Sequence, residues 1–183
     1  MRSADQGREV SVKDLAVASL GLGAAAIFLI DQADGWAIGV FLVSIVLRLV
    51  SEIRGWRLPT KPLKLLILAA GGSMVMVDYG RLLGLEPGLA MVLILVSLKV
   101  LETTTGRDYQ VVILLGYFLA VCDLIFVQDL AHSLMVGGIV LLLTAALLRF
   151  RRRCAFGRAL WTTFGLTAQA LPVIVALFLF FPR

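Results

Sequence analysis

Residues 159–181 read ALWTTFGLTAQALPVIVALFLFF, twenty-three consecutive positions without a charged side chain. A helix needs about 20 apolar residues to cross a bilayer core about 30 Å thick, so this stretch alone is long enough to span one. Two further uncharged runs precede it, YQVVILLGYFLAVC at 109–122 and MVGGIVLLLTAALL at 135–148. None alternates polar and apolar residues as a membrane β-strand must, and none keeps a strongly polar face for water. Inside lipid each backbone polar group needs a partner within its own segment, which a helix supplies. The expected fold is all-α, a polytopic integral membrane helical bundle.

Composition points the same way. Of the 183 residues 60% are hydrophobic and 16% charged, whereas soluble domains sit near roughly 45–50% and 25%. Working outward from the uncharged runs gives about seven spans: about Leu15–Ile30, Trp36–Val50, Leu63–Tyr79, Pro87–Leu101, Tyr109–Val127, Leu130–Leu148 and Leu160–Phe181. Asp31-Gln32-Ala33-Asp34 makes a tight polar turn between the first two, which together read as a helical hairpin. No linker, low-complexity tract or internal repeat breaks the pattern, so residues 1–183 are read as one membrane domain. The mixed charges of Met1–Asp14 and the lack of a small-residue cleavage site favour an uncleaved signal anchor.

The net charge of +5 would suggest nucleic acid in a soluble protein. Here the basic residues lie between spans, and no nucleic-acid partner is expected. Fifteen of the seventeen Lys and Arg residues fall in the N-terminus and the second-to-third, fourth-to-fifth and sixth-to-seventh connections, leaving Arg81 and Arg183 for the opposite side. By the positive-inside rule the N-terminus is then cytoplasmic, and an odd span count sends the C-terminus outside. Cys122 lies within a span and Cys154 in the arginine-rich loop, so the two are not expected to pair.

Ionisable residues near spans are candidate functional groups. Lys99, Glu102, Arg107 and Asp108 cluster around the fourth-to-fifth connection, with Asp123 further along. Lys99 and Glu102 are one helical turn apart and can pair. Thr105 followed by Asp108 reads as a hydroxyl cap and a first-turn carboxylate. The simpler reading is a cluster that pins helix ends, and the sharper one a substrate or ion site. Asp123, about 22 Å along the helix from Asp108 at 1.5 Å per residue, is placed near the outer end of its span within reach of water. Gly35–Gly39 and the run Ala69-Ala70-Gly71-Gly72-Ser73 suggest close helix packing. Pro172 is expected to kink the last span, Gln169 to bridge to another helix, and Trp36, Trp56 and Trp161 to anchor at interfaces. Cys122, His132 and Asp129 form a catalytic triad only on paper, since apolar surroundings suppress the thiolate. With a single histidine no metal site is expected, and no cofactor.

The order Leu98-Lys99-Val100-Leu101-Glu102, Arg107-Asp108 and Leu115-Gly116-Tyr117-Phe118, closing on Gln169-Ala170-Leu171-Pro172 and Leu177–Arg183, resembles the membrane region of TgpA-type transglutaminase-like proteins of bacteria. The resemblance is best over residues 86–183, and the first four spans match in layout. It implies a membrane region followed, on the outer face of the inner membrane, by a transglutaminase-like domain with a Cys-His-Asp triad. That triad would lie beyond Arg183, so no residue here inherits a catalytic role, and the chain is expected to be a non-enzymatic anchor for its own missing extracytoplasmic domain. The expected partners are the lipid bilayer and that domain or other membrane proteins. The alternative is a small transporter or channel-like subunit with Lys99, Glu102, Asp108 and Asp123 along a polar path. An intramembrane enzyme built around Asp123 or Cys122 is a third reading.

Overall fold

The structure, a computed structural model, describes residues 12–55, 60–80, 84–127 and 129–180. Trp56, Arg81 and Arg183, used above in the anchoring and charge arguments, lie outside them, as do Arg2, Arg8 and Arg57 of the basic residues assigned to the cytoplasmic side. The described residues form seven α-helices: α1 Val12–Phe28, continued by one tight turn at Leu29–Asp31, α2 Gly35–Arg54, α3 Thr60–Tyr79, α4 Leu85–Glu102, α5 Gly106–Phe126, α6 Leu130–Arg152 and α7 Phe156–Phe180. Each expected segment corresponds to one helix. The largest departures in extent are at two basic stretches, where α2 runs past Val50 to Arg54, α6 continues through Arg149, Arg151 and Arg152 and α7 begins at Phe156. Apolar periodicity cannot locate such ends, because the helix continues past the apolar run that signals it.

Among the described residues three helices are long and apolar enough to cross a membrane: Gly35–Arg54, Gly106–Phe126 and Leu130–Arg152, with mean hydropathies of 2.0, 2.0 and 2.1. This is fewer than the seven spans read from the sequence. Around α1 the apolar helix is shorter, Asp14–Phe28, and α4 carries Glu86, Lys99 and Glu102 within its 18 residues. The three long helices bury only 39%, 39% and 28% of their apolar windows inside the protein. Their remaining apolar side chains face outward, which in water would cost about 25 cal/mol per Å² left exposed.

At the centre α1 packs against α2, α5 and α6, while α4 packs against α2, α3 and α5. On the flanks α3 lies on α4 and α7 on α6. Leu22, Leu29, Phe41, Leu93, Ile94, Ile113, Leu119 and Leu143 are fully buried between them. Glycine permits the tightest approaches. A Cβ at Gly21 would lie 2.8 Å from Leu143 Cδ2, and one at Gly116 3.0 Å from Leu143 Cδ1, so α6 wedges this leucine between α1 and α5. Gly71 does the same for α3, where a Cβ would fall 2.6 Å from Ile94 Cδ1. Of the two small-residue stretches, only the second therefore acts as a close contact. Nothing lies within 4 Å of a Cβ at Gly35 or Gly39, because neither belongs to the buried face of α2 formed by Ala37, Ile38, Phe41, Ser44 and Ile45.

Candidate functional site

Because each short connection reverses the chain, polar residues collect at two opposite ends of the bundle. The first end gathers the start of α1, the end of α2, the start of α3, the α4–α5 connection and the end of α6. There Lys99 Nζ contacts Asp108 Oδ1 at 2.7 Å and Glu102 Oε2 at 3.6 Å. Glu102 in turn accepts from Lys64 of α3. All four side chains are partly exposed, between 22% and 39%. The turn itself is shaped by a capping box: the Thr105 hydroxyl accepts from the Asp108 amide, and Asp108 Oδ2 accepts from the Thr105 amide, both at 3.3 Å. This satisfies orphan donors at the α5 N-terminus and leaves Asp108 Oδ1 free to hold Lys99. The expected Lys99–Glu102 pair and Thr105 cap are thus present. Arg107, grouped with them by sequence, is exposed and outside this network, since it lies one position, about 100° of helix, from Asp108.

Two anchors at this end were not singled out from the sequence. Arg48, counted only as a positive charge, is 9% exposed. Its Nε donates to the Thr103 carbonyl at 2.9 Å, with Nη2 on the same oxygen, while Nη1 donates to Ser51 at 3.1 Å and Nη2 pairs with Glu52 at 2.8 Å. The i, i+3, i+4 spacing of Arg48, Ser51 and Glu52 was the available signal; Thr103, 55 positions away, gives none. The Tyr109 hydroxyl lies 3.2 Å from the Asp14 carbonyl and 3.3 Å from that of Ala146. Its ring tilts on Phe150 at 4.6 Å between centroids, and Arg149 Nε pairs with Asp14 at 3.1 Å. Together these tie α1, α5 and α6.

At the opposite end Asp123 Oδ2 meets His132 Nε2 at 2.9 Å, and the imidazole stands edge-on to Phe28 at 5.5 Å. Asp123 is 2% exposed, which corrects the expectation that water reaches it. The α5–α6 connection is short, so the start of α6 folds His132 over the carboxylate. Asp123 Oδ1, Gln32 Oε1 and Trp36 Nε1 are buried without a hydrogen-bond partner among the described residues. Tyr79 donates to Asp34, joining the end of α3 to the start of α2. His132 therefore pairs with Asp123 and not with Asp129, which is exposed, and half-buried Cys122 bonds to neither. Between the two ends the buried face of α5 is Val112, Ile113, Gly116, Leu119 and Ala120.

The α7 features separate. The helix runs through Pro172 as one element, although the proline offers no N–H to the Ala168 carbonyl. Gln169 is exposed and makes no described side-chain bridge to another helix, whereas Ala159 and Thr163, nearer the start of α7, are buried. Trp161 is 79% exposed, and Trp36 packs partly against the core.

Comparison with known proteins completes the picture. The family model described as the TgpA N-terminal domain matches residues 17–183. A protein-glutamine gamma-glutamyltransferase of Pseudomonas aeruginosa is 35% identical over 129 residues, 68% of this chain and 19% of that protein. The chain thus spans about a fifth of this curated relative's length. No solved structure matches.

Proposed function

The chain belongs to the TgpA N-terminal domain family, and from that premise we propose that it is the membrane-embedded platform of a transglutaminase-like protein. In this reading it tethers and orients a protein-glutamine gamma-glutamyltransferase or cysteine-protease-like domain on the outer face of the bacterial inner membrane. All seven helices cross, the N-terminus is cytoplasmic and the C-terminus extracytoplasmic. The chain itself supplies no catalytic group.

One observation carries the reading: the charged side chains that pair do so at the two ends of an apolar bundle. Lys64, Lys99, Glu102, Asp108, Arg48 and Arg149 meet at one end, and Asp123 with His132 and Asp34 with Tyr79 at the other. The basic end then faces the cytoplasm, as the positive-inside rule asks. A transporter needs Lys99, Glu102, Asp108 and Asp123 along one path. Here Asp123 is separated from the others by the apolar buried face of α5, which weighs against that alternative. An intramembrane enzyme at Cys122 is disfavoured because half-buried Cys122 makes no described hydrogen bond to His132, which would have to take its proton.

Reporter fusions test the proposal. A reporter joined after Arg153 is expected to be active in the cytoplasm, and one joined after Arg183 outside it. The reverse pattern would refute the orientation and the platform role with it.

A further inference from the structure

The Lys64–Glu102 ion pair stands between two open recesses. One, about 360 Å³, is lined by Lys64, Glu102, Thr104 and Asp108. The other, about 480 Å³, runs between α3 and α4 and is lined by Leu65, Leu68, Leu95 and Leu98 beneath Lys64, Lys99 and Glu102. We propose that these adjoining recesses bind one phospholipid whose headgroup carries both a phosphate and a primary ammonium, as in phosphatidylethanolamine.

The apolar recess opens to the outside of the bundle, with Leu65 71% and Leu95 54% exposed. In a membrane that opening meets acyl chains, so a hydrocarbon tail is its natural filling. The rim decides the headgroup. Lys64 and Lys99 balance Glu102 and Asp108, so the site has no net charge. A purely anionic headgroup would gain two ammonium groups and face two carboxylates. A zwitterion with a primary amine satisfies both: its phosphate accepts from the lysines and its ammonium donates to the carboxylates. Capacity remains for this. A lysine ammonium has three donors, and Lys64 makes one described hydrogen bond, to Glu102. The side chains are between 22% and 39% exposed, within reach of a headgroup. A choline headgroup offers the same charges but no N–H donor, which makes it the discriminating competitor. The acyl surroundings of α3 and α4 rest on the seven-span reading proposed above, and the leaflet, the cytoplasmic one, on its orientation.

The experiment is lipid retention by the detergent-purified chain in native mass spectrometry, with dioleoyl phosphatidylethanolamine, phosphatidylcholine and phosphatidylglycerol offered in turn. One phosphatidylethanolamine per chain is expected, held roughly tenfold tighter than either competitor, the size of a lost charge-assisted hydrogen bond. Leu68→Trp, which fills the apolar recess and leaves all four charges, is expected to lower retention of every phospholipid. Glu102→Gln, which leaves the recess open, is expected to shift the preference toward phosphatidylglycerol. Equal retention of the three lipids by the unaltered chain, or unchanged retention and preference in both variants, overturns the proposal. The measurement does not depend on orientation, so a reversed result in the reporter fusions would move the leaflet and leave this outcome standing.

Discussion

Replacing Arg48 with methionine isolates the tie between α2 and the α4–α5 connection. Methionine keeps an unbranched stem against the core and deletes every donor. The Thr103 carbonyl then loses both the Nε and Nη2 hydrogen bonds, in a residue that is 1% exposed. A buried acceptor left without its charged donor costs roughly 2–3 kcal/mol. The Glu52 pair adds little, because Glu52 is 29% exposed and such i, i+4 pairs are worth about 0.3–0.5 kcal/mol. Arg48→Met is therefore expected to lower unfolding stability by about 2–3 kcal/mol, and Glu52→Ala by less than about 1 kcal/mol. Arg48→Lys is expected to lie between, since an ammonium cannot reproduce the two-nitrogen fork. Denaturation of the micelle-reconstituted protein by sodium dodecyl sulfate, followed by tryptophan fluorescence, measures all three. Arg48→Met within about 0.5 kcal/mol of the unaltered protein, the range of an ordinary surface change, would refute the reasoning.

Other substitutions test other contacts. Gly71→Ala is expected to cost roughly 1–3 kcal/mol by overpacking, because its new methyl would meet Ile94 Cδ1 at 2.6 Å; Gly35→Ala, with open space around it, should be nearly neutral in the same titration. Asp123→Leu or His132→Leu alone leaves a buried polar partner unmatched, so a double-mutant cycle should find the double variant less destabilised than the sum of the singles. Strict additivity would show that the 2.9 Å contact contributes nothing. Arg153 ends α6 with φ of 52°, a conformation that favours glycine, so Arg153→Gly is expected to stabilise by up to about 1 kcal/mol, read from the same denaturation midpoint.

The amino-acid order alone determined that the chain is helical and, to within about a turn, where each helix runs. Long uncharged stretches such as 109–122 and 159–181 leave the backbone no partner in lipid except its own i−4 carbonyl, and polar turns such as Asp31–Asp34 interrupt them. It also determined the Thr105–Asp108 cap and the Lys99–Glu102 pair, because both depend on spacing within a single turn of chain. These are local interactions, and the spacing specifies them before any helix meets another.

What tertiary structure decided is which of the remaining polar groups matter. Arg48 reads as one more basic residue until packing of α2 on α4 brings it to Thr103. Asp123 reads as a residue near the water until the turn into α6 lays His132 over it. Gly71 and Gly39 look alike in sequence, yet only Gly71 lies beneath a neighbouring side chain. Lys99 and Glu102 were legible as a pair, but Lys64, from 38 positions earlier, joins them only through the contact of α3 with α4. The physical reason is common to all four. Apolar helices in lipid have no strongly directional pattern to specify their neighbours, so the choice of face and partner rests on steric fit and a few long-range hydrogen bonds, neither of which is written at helical spacing.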